Sequence, residues 1–239
     1  MGTAKEQQVL KFFKRMNREL FIDLRSKNMK IIHTQVSPFW TNVYIYYDEN
    51  SKEAAIVDPG GDCVKLKELL DENKLTLKAI LLTHGHFDHI GAVNELREIT
   101  GAKVYAYEEE KALLASSEMN EALRIGRKDY TIECDKLLKE GDIIEICEGR
   151  LSVIHTPGHT AGGACFYDEE NAILFAGDTL FKDSVGRYDL ATASGEALFH
   201  SIKEKLFKLP DDTKVFPGHN SATTIGREKV HNMVVGSGR

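Results

Sequence analysis

Four times in this chain a short apolar run breaks into a turn that carries histidine or aspartate, and this repetition limits the fold more than any other feature. The densest case is the run at 79–82, Ala-Ile-Leu-Leu, followed by Thr83-His84-Gly85-His86-Phe87-Asp88-His89. The run reads as a short buried strand. Positions two apart in an extended segment point the same way, so His84 and His86 share a side. The chain then turns through Gly85 and restarts as a helix near 88–89, with Ile90, Val93 and Leu96 on one face. Asp88 and His89 lie past that turn and face a second position close by.

The other three cases are sparser. His159 sits in Thr156-Pro157-Gly158-His159-Thr160 after a run at 151–155, Asp178 follows the run at 172–176, and His219 closes Pro217-Gly218-His219 after the run at 214–216. Any one of these alone is an ordinary polar turn. Loops at the ends of several strands converge on one rim of a sheet, however, and together they offer five histidines and two aspartates. Neutral imidazole and carboxylate are good donors for zinc and its divalent neighbours. Seven donors suffice for two ions that share one carboxylate.

The remainder of the chain supplies the scaffold. With 239 residues, 42% of them hydrophobic, the chain suits one α/β domain with ample core. A net charge of −6 argues against a general nucleic-acid surface. No apolar run approaches the roughly 18 residues of a membrane helix. The N-terminus is charged throughout, without the apolar centre of a secretory signal, so the cytoplasm is the expected location. Cys63, Cys134, Cys147 and Cys165 are scattered with no Cys-x-x-Cys, which predicts reduced thiols.

At 5–27, Val9, Phe12, Phe13, Met16, Leu20 and Leu24 recur every three or four residues among charges. The spacing predicts an amphipathic N-terminal helix over 1–28, packed on the domain or joining a homo-oligomer, ahead of a catalytic domain over 29–239. Strands are predicted at 30–36, 42–47 and 54–57. A turn at Asp58-Pro59-Gly60-Gly61 follows, then a helix capped by Asp62 and carrying Val64, Leu66, Leu69 and Leu70. A strand at 103–107 precedes a charged stretch at 108–130 that reads as helical. Strands at 142–147, 151–155, 163–167, 172–176 and 214–216 and a helix at 194–207 complete the second half.

The order T-H-x-H-x-D-H, T-P-G-H-T, G-D-T-L-F and P-G-H resembles the metallo-β-lactamase fold superfamily over about residues 30–232. The resemblance implies a four-layer αβ/βα sandwich, two mixed sheets face to face with helices outside. It implies a first metal site at His84, His86 and His159, a second at Asp88, His89 and His219, and a bridging carboxylate at Asp178. The most familiar β-lactamases of this fold carry cysteine where this chain has Asp178, which turns the expectation away from lactams. Gly177-Asp178-Thr179-Leu180-Phe181, the loop Ser184-Val185-Gly186-Arg187-Tyr188-Asp189 and the tail from Pro217 to Glu228 are similar to short bacterial glyoxalase II-like hydrolases. Full-length glyoxalase II adds a helical domain that helps hold glutathione; with only residues 220–239 after His219, none is expected here.

The implied reaction is hydrolysis of a thioester of the hydroxyacylglutathione kind, or a related ester, by a water shared between two divalent ions. Zinc is the first candidate; iron and manganese accept the same donors. Asp88 and Asp178 are the catalytic carboxylates. Arg187 either binds a substrate carboxylate or pairs with Asp189, and Tyr188 either lines the pocket or packs in the core. The competing reading is a mononuclear iron persulfide dioxygenase, which shares the His-x-His motif and the Gly-Arg-x-Asp loop. The substrate is expected to be a small molecule, with neither nucleic acid nor membrane as partner.

Overall fold

The computed structural model describes residues 20–26, 28–146 and 148–237. A first sheet is built by β1 (Leu20–Asp23), β2 (Met29–Val36), β3 (Thr41–Asp48), β4 (Glu53–Val57), β5 (Thr76–Leu81), β6 (Lys103–Tyr107) and β7 (Lys136–Leu138), hydrogen-bonded in that order. A second contains β8 (Ile143–Ile146), β9 (Gly149–His155), β10 (Ala164–Asp168), β11 (Ile173–Gly177), β14 (Lys214–Pro217) and β15 (Thr223–Thr224), in the order β15-β14-β11-β10-β9-β8. A small hairpin, β12 (Leu180–Phe181) with β13 (Ser184–Val185), stands apart. The helices are α1 (Cys63–Glu72), α2 (Phe87–Ile90), α3 (Val93–Thr100), α4 (Lys111–Leu114), α5 (Gly195–His200) and α6 (Ile225–His231).

Side-chain alternation explains the four layers. All eight residues of β3 are buried, because this strand is covered on both faces. Its Tyr44 and Tyr46 join Ile31, Val57 and Leu81 against Phe166, Phe175 and Phe216 of the second sheet. Its Val43 and Ile45 turn the other way and pack with Leu66, Leu69 and Leu70 of α1 and Val93 and Leu96 of α3. On the far side, Cys165, Leu174 and Val215 meet Leu198, Ile202, Leu206 and Ile225. Three apolar interfaces thus separate helix, sheet, sheet and helix, as expected. The hydroxyls of Tyr44 and Tyr46, buried between the sheets, are satisfied: Tyr46 donates to Asp168 at 2.7 Å and Tyr44 to the Pro217 carbonyl at 2.8 Å.

Some elements differ from the sequence reading. The predicted N-terminal helix does not reach Leu20–Asp23, which pair antiparallel with β2 at the sheet edge, from Leu20↔His33 to Asp23↔Lys30. Leu-Phe-Ile suits a pleated edge, and the open ladder of β2 is available to it. The part of that helix before residue 20 lies outside the described residues. The stretch at 108–130 holds only short turns of helix, at Glu108–Glu110, Lys111–Leu114 and Ala122–Ile125. The helix predicted from 88 to 100 is interrupted at Gly91-Ala92, and the one at 194–207 widens into a π turn at Ser201–Lys205. Asp62 occupies the N-cap of α1 but its side chain accepts no N–H of that helix; its carboxylate instead accepts the N–H and hydroxyl of Ser37, both at 2.8 Å. Among the described residues, no helix is long and apolar enough to cross a membrane.

Candidate metal centre

Strand direction gathers the motifs. β4 and β5 run parallel, as do β11 and β14, while β9 and β11 both oppose β10 and so share a direction. The carboxyl ends of these five strands carry Asp58, the 84–89 loop, His159, Asp178 and His219. Backbone bonds draw the two halves together there: Ala164 N–H donates to the Thr83 carbonyl at 2.8 Å, and Asn42 N–H to the Gly218 carbonyl at 2.7 Å.

All seven predicted donors meet at this rim. His84, His86 and His159 each bring a donor atom within 4.8 Å of the others, and so do Asp88, His89 and His219. His86 Nδ1 lies 3.0 Å from His159 Nε2. Asp178 stands between the two groups: Oδ1 is 3.4 Å from His89 Nε2, and Oδ2 is 3.7 Å from both His159 Nε2 and His219 Nε2. Asp88 Oδ2 is 3.2 Å from His219 Nε2.

The hydrogen bonds leave donor atoms bare. Thr83 gives its hydroxyl proton to Asp58 at 2.6 Å and accepts from His84 Nδ1 at 3.1 Å; His89 Nδ1 donates to Asp58 at 3.0 Å, and His159 Nδ1 to the Arg187 carbonyl at 2.7 Å. These bonds direct Nε2 of His84, His89 and His159 toward the centre. Of the atoms facing the centre, His84 Nε2, His89 Nε2 and Asp178 Oδ1 are buried without a hydrogen-bond partner among the described residues. Such orphans are costly in a folded core, and bound cations satisfy them. The donor set fits divalent metal ions.

Electrostatics agree. Burial, reinforced by His159, holds the His86 pKa down to about 3, and burial also keeps His84 well below its ordinary value, so both rings present lone pairs. For His89 burial acts in the same direction, but Asp88, Asp178 and Asp58 outweigh it and raise the ring to about 10. Burial would raise Asp88, yet His89, His219 and His86 pull it below the usual carboxylate range. This cluster of carboxylates calls for positive charge.

Three supporting residues escaped the sequence reading. Asp58, read as part of a turn, also accepts Thr83 N–H at 2.8 Å and orients His89 from behind. Glu110, inside the stretch read as a surface helix, is buried; it accepts Gly85 N–H at 2.8 Å, Gly162 N–H at 2.9 Å and the Thr160 hydroxyl at 3.0 Å. It thereby ties the loop of His84 and His86 to the loop of His159. Asn42, read as a strand residue, donates through Nδ2 to the carbonyls of Pro217 and Asn220, each at 2.9 Å, and so brackets His219. Gly218 is required between them, since a β-carbon there would collide with Asp178 Oδ1 and His89. Only the Asp-Pro-Gly-Gly placement of Asp58 at a strand end carried a signal. Asn42→Ala is expected to weaken binding of one metal equivalent by about ten- to a hundredfold. Chelator competition would reveal it, and two equivalents held at wild-type affinity would refute this role for Asn42.

The centre opens into a cleft of about 650 Å³. Arg187 lines it, but its guanidinium is forked onto Asp189 at 2.9 and 3.0 Å, so of its two predicted roles the structure displays the ion pair. Tyr188 is half-exposed and edges onto Phe199, with ring centroids 5.3 Å apart; it is not among the residues lining the cleft. A family profile for the metallo-β-lactamase superfamily matches residues 37–219.

The chain belongs to the metallo-β-lactamase superfamily. Within that superfamily it is 37% identical over 212 residues to hydroxyacylglutathione hydrolase GloC of Haemophilus influenzae, covering 88% of this chain and 99% of that protein. The crystal structure of the B3 metallo-β-lactamase BLEG-1 superposes with a TM-score of 0.81 at 40% identity, covering 86% of this chain and 99% of that one. ETHE1 from Myxococcus xanthus superposes with a TM-score of 0.71 at 30% identity, covering 86% and 84%. The superfamily and the His/Asp clusters together make this a metallo-hydrolase fold with a site for divalent metals.

Proposed function

We propose that the protein is a binuclear metal-dependent hydrolase that cleaves a thioester of the hydroxyacylglutathione type or a related ester. The observation that supports the reading is the placement of Asp178, one carboxylate between two clusters in which His84 Nε2 and His89 Nε2 are buried with no other partner. The likeness to a hydroxyacylglutathione hydrolase supports the thioester. His84, His86 and His159 would hold one ion, Asp88, His89 and His219 the other, and Asp178 both.

When bound, such ions supply Lewis acidity toward a carbonyl and lower the pKa of water. The chain's own residues do the rest. Asp58 and the Arg187 carbonyl hold His89 and His159 in the tautomer that leaves Nε2 free. Asp88 stays ionised; with Oδ2 turned to His219 and His89, its other oxygen is left as acceptor for the proton lost by attacking water. Activity and metal content should both fall in acid as protons compete with the cations for these donors.

The alternative, a mononuclear iron persulfide dioxygenase, would use the same His84, His86 and His159 triad. The electron count separates them, because zinc has no accessible second oxidation state. Zinc-loaded, iron-free protein is expected to cleave S-lactoylglutathione under argon and to hold about two metal equivalents by elemental analysis. A β-lactam belongs in the same panel, given the likeness to BLEG-1. The hydrolase reading is overturned if zinc protein is inert on thioesters, esters and the lactam while iron protein consumes oxygen with glutathione persulfide.

A further inference from the structure

We infer that the cleft is built to receive an uncharged apolar group, alkyl or aryl, beside the scissile bond, rather than a multiply charged thiol such as glutathione. The inference rests on the hydrolase reading and narrows its substrate: a glutathione thioester is then cleaved, but at a higher KM than a thioester of an apolar thiol. Six apolar side chains line the cleft: Phe39, Phe87, Ile125, Phe181, Val185 and Leu190. Phe39 and Ile125 are each 44% exposed and lie with the other four along the cleft, leaving apolar area that a ligand would cover. Phe39 stands edge-on to Phe87 with centroids 5.0 Å apart, and its loop is tied down by the Ser37–Asp62 bonds. The wall is thus preorganised.

The charges point the same way. Apart from the residues of the metal centre, the charged groups lining the cleft among the described residues are Glu121, Arg124 and Arg187. Arg124 pairs with Glu121 at 2.7 Å; the guanidinium side chain is 69% exposed and the carboxylate 18%, so the acid lies inward and the cation outward. Arg187 is held by both oxygens of Asp189. A carboxylate on the substrate would compete with these partners and approach Glu121, whereas an alkyl or phenyl group meets apolar surface at once.

The test uses the metal-loaded protein and two unreactive thioethers, S-methylglutathione and the uncharged 2-(benzylthio)ethanol. Trp40, the single tryptophan, is exposed beside Phe39 and reports binding by fluorescence. The benzyl compound is expected to bind at least about tenfold more tightly, the scale set by burying one phenyl group. Phe39→Ala should shrink that preference to about threefold or less. Equal or tighter binding of S-methylglutathione, or its selective weakening by Arg187→Ala, would overturn the inference. A second arm compares thioesters of one acyl group with glutathione and with the apolar thiol. If neither is hydrolysed while the benzyl preference persists, the hydrolase reading fails and the apolar site stands. A lower KM for the glutathione ester rejects the apolar site and leaves the hydrolase intact.

Discussion

Asp178→Asn is expected to leave the fold intact and to remove most of the hydrolytic activity, with a loss on the order of a thousandfold. Asn has the size of Asp but only one good acceptor and no charge. Asp178 follows β11 at the open rim and is not part of the apolar interfaces, so the exchange should not disturb packing. Its two oxygens reach toward His89 on one side and His159 and His219 on the other. Without the carboxylate, two cations would face each other across the cluster with less negative charge between them. Metal content should therefore fall from about two equivalents to about one or less. Circular dichroism, elemental analysis and turnover on one preparation check this. Wild-type turnover with two bound ions would remove Asp178 from its bridging place.

Glu110→Ala should act through stability. It strands three buried donors, Gly85 N–H, Gly162 N–H and the Thr160 hydroxyl. A loss of roughly 3–5 kcal/mol follows from unsatisfied buried groups, or a fall in Tm on the order of 10 °C for a chain of this size. Glu110→Gln isolates the charge. Burial raises the Glu110 carboxyl from 4.5 to about 7, against the opposing pull of its three donors. The folded chain therefore holds this proton more tightly than the unfolded chain. The resulting contribution to stability is complete below about pH 4.5 and is lost as pH rises through about 7, a swing of roughly 3 kcal/mol. The stability difference between wild type and Glu110→Gln, followed by denaturant unfolding across that range, should drift accordingly. A flat difference would mean that Glu110 is ionised throughout.

Much of the centre was legible because its chemistry is local. His84, His86, Asp88 and His89 declare themselves by density, and His159, Asp178 and His219 by their places after apolar runs. The runs themselves marked nearly every central strand, since a strand buried on both faces must be apolar along its length. The helical turns at 108–130 were harder, because charge pattern alone does not distinguish a long exposed helix from several short turns. The edge strand Leu20–Asp23 was hidden in a helical spacing, and the free ladder of β2 decided its state.

The sequence by itself determined the donor types, their order along the chain and the alternation that makes two sheets. The tertiary structure alone decided what those donors lean on. Asp58, Glu110 and Asn42 belong to different segments from the histidines they support, and their hydrogen-bonding partners, from Gly85 to Asn220, cannot be read from spacing. Arg187 is different: its partner Asp189 lies two residues away and was legible as such, and the structure shows that ion pair. The physical reason is common to Asp58, Glu110 and Asn42. A ligand's chemistry resides in its own side chain, whereas a supporting group is defined by the partner that folding brings to it.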